Sequence, residues 1–278
     1  MELSMNQNCN GCERNGNYFH LQMMNEESFD AQVHHPFTCL VAGPSGSGKS
    51  TFVRDLLFRQ SDIIDVTFDY ITILLGTDAS VNPILCNIKG NVPGKVKIVE
   101  LNRKYPNRKD LKANFAEHLK SHLELYSNGG KRKGCVIFDD LMSDLSECGL
   151  LVDLFTKYSS HYGISVIYIT QNLFFKSGGK HAADSVTLYR NTHILVVFKS
   201  PMDNTILSTL AHRLQPTGFS QLQKMLAYIL EHHRYVVIFG KFDRPSALRY
   251  VTDFFATHPV PHQKVFHLSK ETGGADSL

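Results

Sequence analysis

The stretch FTCLVAGPSGSGKSTFV, residues 37–53, runs from an apolar segment (Phe37–Ala42) through a glycine-rich turn into helical spacing from Lys49 to Arg59. Its centre, Gly43-Pro44-Ser45-Gly46-Ser47-Gly48-Lys49-Ser50, satisfies G-x-x-x-x-G-K-[ST] in the context that pattern requires, directly between a strand and a helix. Glycines let the backbone wrap a phosphate closely. Successive N–H groups and the helix N-terminus then present positive potential to the anion. Lys49 is expected to reach the β and γ phosphates of ATP, and the Ser50 hydroxyl to ligate Mg²⁺. Thr51 follows as the next helical residue, at the margin of the same contact set. The bland alternative is a glycine-rich turn that holds nothing.

Outward from this stretch, apolar runs of strand length alternate with longer amphipathic ones. The strand-like runs are Phe37–Ala42, Tyr70–Leu75, Val96–Leu101, Cys135–Phe138, Ile164–Thr170, His193–Phe198 and Tyr235–Phe239. Helix-like segments lie between most of them: Lys49–Arg59, Asp110–Tyr126, Leu150–Tyr158, Asp203–Arg213 and Phe219–Leu230. This alternation predicts an α/β fold, a mostly parallel sheet with helices on both faces. With the loop it reads as a P-loop NTPase of the additional-strand type. Residues 1–35, polar and rich in Asn and Gln, read as an extension with at most a short packed segment, 36–250 as the P-loop domain, and 251–278 as a tail.

Composition narrows the function classes. Of 278 residues, 42% are hydrophobic and 20% charged, enough apolar surface for a sizeable core and too much for a largely disordered chain. No apolar run approaches the ~18–20 residues that cross a bilayer, and MELSMNQNCN lacks the start of a signal peptide, so no membrane is expected and an intracellular location is. Six cysteines are too sparse for a disulfide framework, which suits cytosol or nucleus. The net charge of +3 conceals a local excess: residues 95–134 hold eleven Lys and Arg against four acids, a net +7, leaving −4 elsewhere. Such a segment can track a phosphate backbone without reading bases, or be an ordinary solvated surface.

Two further strands end in candidate chemistry. Cys135-Val136-Ile137-Phe138 leads into Asp139-Asp140, the form of a Walker B element. Asp139 is expected to support Mg²⁺ and Asp140 to polarise the attacking water, with helix N-capping as the alternative for Asp140. Ile164–Thr170 ends in Gln171-Asn172, where a polar side chain can face the γ-phosphate, and Gln171 is the candidate sensor against a simple turn residue. An arginine usually completes phosphoryl transfer, often from a neighbouring subunit. Arg190, Arg213 and Arg234 are the candidates, with Arg190 preferred and a surface ion pair the alternative for each. Cys9-x-x-Cys12 with His20 and His34 matches no standard zinc spacing. Ser177-Gly178-Gly179-Lys180 resembles the signature of ABC transporter ATPases but follows the Walker B strand instead of preceding it.

Taken together, FTCLVAGPSGSGKSTFV (37–53), VIFDDLM (136–142), LFTKYSSHYGISVIYITQNLF (154–174) and NTHILVVFKSPMD (191–203) resemble the FtsK/HerA-type genome-packaging ATPases of large DNA viruses, in particular the forms in Maverick/Polinton elements and adintoviruses. The resemblance covers about residues 36–240. It implies an ATP-driven motor that threads double-stranded DNA into a preformed capsid, as a homo-oligomeric ring with nucleotide at subunit boundaries and a capsid or portal protein as partner. Host nucleus or cytoplasm, and association with the virion, go with that role. Val186 and Met202 stand where the family carries arginines, while Arg190 lies nearby. GPSGSGKS also resembles guanylate kinases, but residues 60–95 hold only Lys89 and Lys95 where an arginine-rich acceptor lid would stand. A nucleotide or small-molecule kinase and a non-catalytic, nucleotide-dependent scaffold are the rival readings.

Overall fold

The computed structural model describes residues 19–23, 33–76, 82–101, 119–120, 123–124, 131–139, 141, 150–174, 184–200, 205–240, 249–255 and 264–268. Within these, ten strands form one sheet: β1 (Phe19–Met23), β2 (Thr38–Ala42), β3 (Tyr70–Leu75), β4 (Lys95–Glu100), β5 (Gly134–Asp139), β6 (Ile164–Thr170), β7 (Ile194–Phe198), β8 (Tyr235–Phe239), β9 (Tyr250–Thr252) and β10 (Lys264–Leu268). Their order is β1-β10-β9-β8-β7-β2-β6-β5-β3-β4. The six strands from β7 to β4 are mutually parallel. The other four continue the sheet antiparallel from β7.

The parallel strands are apolar throughout because both faces are covered; β2, β5 and β6 are buried at every position. On one face, Leu40, Val136, Phe138, Val166 and Val197 meet helices α4 (residues 150–162), α6 (Thr205–Leu214) and α7 (Phe219–His232). On the other, Cys39, Val41, Ile73, Ile137 and Ile167 meet α1 (Lys49–Phe58) and α3 (Pro83–Cys86). Phe52, Val53, Leu56 and Leu57 are the buried stripe of α1, the 3.6-residue period that marked this segment as a helix. Two short helices, α2 (Gln60–Ile63) and α5 (Asp184–Arg190), are also described. Burial pushes the thiols of Cys39 and Cys135 well above their ordinary range, so both behave as small apolar core residues.

The structure departs from the sequence expectation at the edges. Helix α4 does not stop at Tyr158; it passes through a π-helical stretch, Leu154–Tyr158, and ends only at Gly163, whose φ of 61° supplies the left-handed residue that terminates helices. Of the helix expected over 110–126, residues 119–120 and 123–124 are described and helical, with Leu119 and Leu123 buried one turn apart. The boundary drawn at 250 falls inside β9. Beyond it β10 pairs with β9, and β1 pairs with β10 from Phe19↔Leu268 to Met23↔Lys264, so segments of the expected extension and tail belong to the sheet. No helix among the described residues is long and apolar enough to cross a membrane.

Candidate nucleotide and metal site

Strand order assembles the site. β6 lies between β2 and β5, with Val41 paired to Ile169 and Ile169 to Asp139, so the chain after β2, Gln171 after β6 and Asp139 of β5 arrive side by side at the carboxyl edge. That edge is where open α/β sheets bind ligands. The Gly43 N–H donates to the Thr170 carbonyl at 3.2 Å, tying the start of the loop to the end of β6.

The loop needs its glycines for two separate reasons. Gly46 and Gly48 sit at φ 74° and 106°, in the left-handed region costly for other residues. Gly43 has no room for a side chain: a Cβ there would stand 2.5 Å from the Phe198 Cβ. Gly48 is the N-cap of α1 and offers no side-chain cap, so the first turn of the helix meets the cleft with its backbone N–H groups. The Lys49 side chain, buried to 9% exposure, folds back over the loop and its Nζ donates to the carbonyls of Gly43 at 2.7 Å and Pro44 at 2.8 Å.

Ser50 and Asp139 come together through a third residue. The Nδ2 of Asn82 donates to Asp139 Oδ2 at 2.5 Å and to Ser50 Oγ at 3.2 Å, so one atom reaches both oxygens. A hydroxyl and a carboxylate within reach of one shared point are the hard oxygen donors that Mg²⁺ takes alongside phosphate oxygens, and the residues present therefore fit the ion. Among the described residues there is no separate cluster of three or more His, Cys, Asp or Glu side chains that could hold a metal. Cys9 and Cys12 lie outside the described residues.

A polar cleft of about 330 Å³ runs between the loop, α3 and the ends of β5 and β6, within the usual range for small-ligand pockets. Ser45, Gly46, Gly48, Lys49, Ser50, Thr51, Asp139 and Gln171 all line it. Gly43 and Pro44 line instead a neighbouring cavity of about 440 Å³ with Phe198, Leu207 and Leu230, and Ser47 borders a third with Lys199 and Arg234. Gln171 lines both of the first two, so a single exposed side chain stands between the cleft and the ends of α6 and α7. Asp140 falls outside the described residues. Arg190 is the exposed last residue of α5 and is not among the cleft-lining residues. The Arg213 guanidinium lies 4.3 Å from the ring centre of Phe174 and 6.0 Å from that of Tyr189, bracing the turn after Gln171 within its own chain.

Asn82 is the site residue that motif reading does not reach. The sequence does carry a local signal, Asn82-Pro83, an N-cap residue before a proline at the first helical position; the Leu85 N–H donates to Asn82 Oδ1 at 3.3 Å. That signal marks a helix start and says nothing of a neighbour 57 positions away.

No family model matches the chain, and neither does any curated protein. Among solved structures, it is similar to the genome packaging NTPase B204 from Sulfolobus turreted icosahedral virus 2 in complex with ATP-gammaS, at 12% identity and TM-score 0.41 over 74% of this chain and 92% of that one. It is also similar to EssC (ATPases 2 and 3) from Geobacillus thermodenitrificans, at 13% and 0.36 over 58% of this chain and 32% of that one. A third similar structure is the Legionella pneumophila ATPase DotB, at 11% and 0.35 over 71% and 53%. The strand order β2-β6-β5 around a glycine-rich loop, with a helix starting at Lys49, makes this an α/β P-loop NTPase fold with a strand inserted between the loop strand and the strand of Asp139.

Proposed function

We propose that the protein is an ATPase whose hydrolysis drives double-stranded DNA into a viral capsid. The observation that carries the hydrolytic part is the convergence of Lys49, Ser50, Asp139 and Gln171, from three parallel strands, on one polar cleft. Lys49 exchanges its two loop carbonyls for phosphate oxygens. Ser50 and Asp139 would hold Mg²⁺, which when bound would neutralise charge on the transferring phosphoryl group. Asp140, the next residue after β5, is placed by sequence to take a proton from water. Gln171 senses the γ-phosphate and passes its loss to α6 and α7 across the adjoining cavity. Arg190 is the candidate to act on a neighbouring subunit's nucleotide.

The DNA part rests on the sequence resemblance and on charge. Four described basic residues of the segment lie at the opposite, amino end of the parallel strands: Lys95, which like Gly134 pairs with Tyr70, and Lys131, Arg132 and Lys133, which precede β5. Lys95 and Arg132 both lie over the Tyr70 ring, at 5.9 and 5.0 Å. A homo-oligomeric ring lines a channel with such surfaces, docks on a capsid or portal protein, and works where virions assemble, in the host nucleus or cytoplasm. The test is phosphate release from ATP with and without duplex DNA at low salt, with Lys49→Ala as the blank. DNA-stimulated turnover is expected. Turnover indifferent to DNA, with no binding, overturns translocation; tight ATP binding without turnover would instead favour a nucleotide-dependent scaffold.

A further inference from the structure

Asn82 occupies a position that a metal ion also needs. Its Nδ2 lies 2.5 Å from Asp139 Oδ2 and 3.2 Å from Ser50 Oγ, the two side chains that fit Mg²⁺. The orientation of the amide follows from the network. Oδ1 accepts from the Leu85 N–H, and a flipped amide would press that oxygen against a carboxylate oxygen. Both hydrogens of the NH₂ group are thus directed at metal-binding oxygens. Asp139 is 7% exposed, so its charge needs donors close by. A neutral donor in this place compensates the carboxylate without the charge of a cation. An ion that bridges Asp139 Oδ2 and Ser50 Oγ would have to stand where this NH₂ group stands, and the hydrogens of the amide and the ion carry the same sign of charge.

We propose that Asn82 is a built-in competitor for the metal, stabilising the metal-free site and yielding Ser50 and Asp139 when a divalent cation arrives. Because the same side chain caps α3, which packs against α1 through the core containing Leu85, its displacement links metal loading to the start of that helix. The inference rests on the reading of Ser50 and Asp139 as the metal pair.

The experiment uses the full chain and Mn²⁺ as probe, with free Mn²⁺ counted by electron paramagnetic resonance at saturating non-hydrolysable ATP analogue. Asn82→Ala is expected to bind Mn²⁺ roughly tenfold more tightly than wild type, the weight of one hydrogen bond to a charged group. Asn82→Ser keeps an acceptor for the Leu85 N–H but is too short to span both oxygens, and should tighten binding similarly if Asn82→Ala folds poorly. Linkage fixes a second readout: the melting temperature of Asn82→Ala lies below wild type in EDTA, and the gap closes at saturating Mn²⁺ with analogue. Weaker or unchanged Mn²⁺ binding in both variants overturns the proposal and makes Asn82 an ordinary supporting donor. Asp139→Ala separates the two levels. If it binds Mn²⁺ as wild type does, the metal pair itself is misassigned; if it loses binding while the Asn82 variants stay unchanged, only the competition fails.

Discussion

The two ends of the parallel strands treat polar groups in opposite ways. At the amino ends they bond one another: Ser165 Oγ accepts from the Phe37 N–H at 3.2 Å and meets His35 Nδ1 at 2.7 Å, Thr38 Oγ1 donates to the Asn191 carbonyl at 2.6 Å, and the Lys133 N–H donates to Asp69 at 2.8 Å. At the carboxyl ends Lys49, Ser50 and Asp139 are held over a cleft, which Gln171 also lines, by contacts that a ligand can replace. One end closes the fold, and the other keeps groups available. Substitution of Lys49 or Gln171 at the carboxyl end should therefore change turnover at constant stability, and substitutions at the amino end the reverse.

The largest effect falls on Lys49. Lys49→Ala removes the one loop side chain that can put a positive charge on the phosphates, and ATP turnover should drop by about 100-fold or more, the usual cost of losing a preorganised electrostatic contact. Phosphate release measures it, and an unchanged circular dichroism spectrum shows that the fold persists. Turnover within a few-fold of wild type would break the comparison at its strongest point. Gln171→Ala comes next, because Gln171 is exposed between two cavities and carries no part of the core. Turnover should fall about 10- to 100-fold with binding of a non-hydrolysable analogue held within about threefold, the pattern of a contact made only on the way to the transition state. Equal losses in binding and turnover would instead make it a plain nucleotide contact.

These two residues were legible in the sequence as candidates. A glycine-rich loop between a strand and a helix, and polar residues closing apolar strands, are patterns whose spacing is set by the ligand, so Gly43–Thr51, Asp139 and Gln171 stand out without the fold. The strand runs of the parallel half were legible too, since burial on both faces leaves continuous apolar segments such as Tyr70–Leu75 and Ile164–Thr170. What was not legible depends on long-range pairing. β1 is short and becomes a strand through a partner about 245 positions away, Phe19 on Leu268. Asn82 reaches Asp139 across 57 positions through a turn, which no local period records. β1 and Asn82 were hidden by the same cause.

At the amino end the prediction reverses. Ser165→Ala, at a fully buried position, leaves the Phe37 N–H without its acceptor and His35 Nδ1 without its hydroxyl. It should cost about 1–3 kcal/mol of stability, read from denaturant unfolding. Turnover per folded molecule below the transition should stay unchanged. A loss of turnover at full stability would mean that the two ends are not separate in function.

The smallest effect is a pH dependence that belongs to the amino end alone. Burial, aided by the charge of Lys133, lowers the pKa of His35 below the ordinary imidazole value; a Gly163 backbone contact and the nearby Asp65 oppose the shift and do not reverse it. The folded protein thus binds this proton less readily than the unfolded chain does, and the sign follows from linkage. The contribution of neutral His35 is fully present above about pH 6.5, the unfolded value, and is lost as pH falls from there toward the lowered folded value. His35 packs edge-on against Phe68 at 5.6 Å and meets Ser165, so the proton adds a charge inside a packed site. His35→Asn should flatten part of the fall in melting temperature between pH 7 and pH 5, and leave analogue binding at the carboxyl end unmoved. Subtracting the variant's curve from the wild type's cancels the other histidines, so a flat difference would show that this proton does not separate the folded and unfolded states.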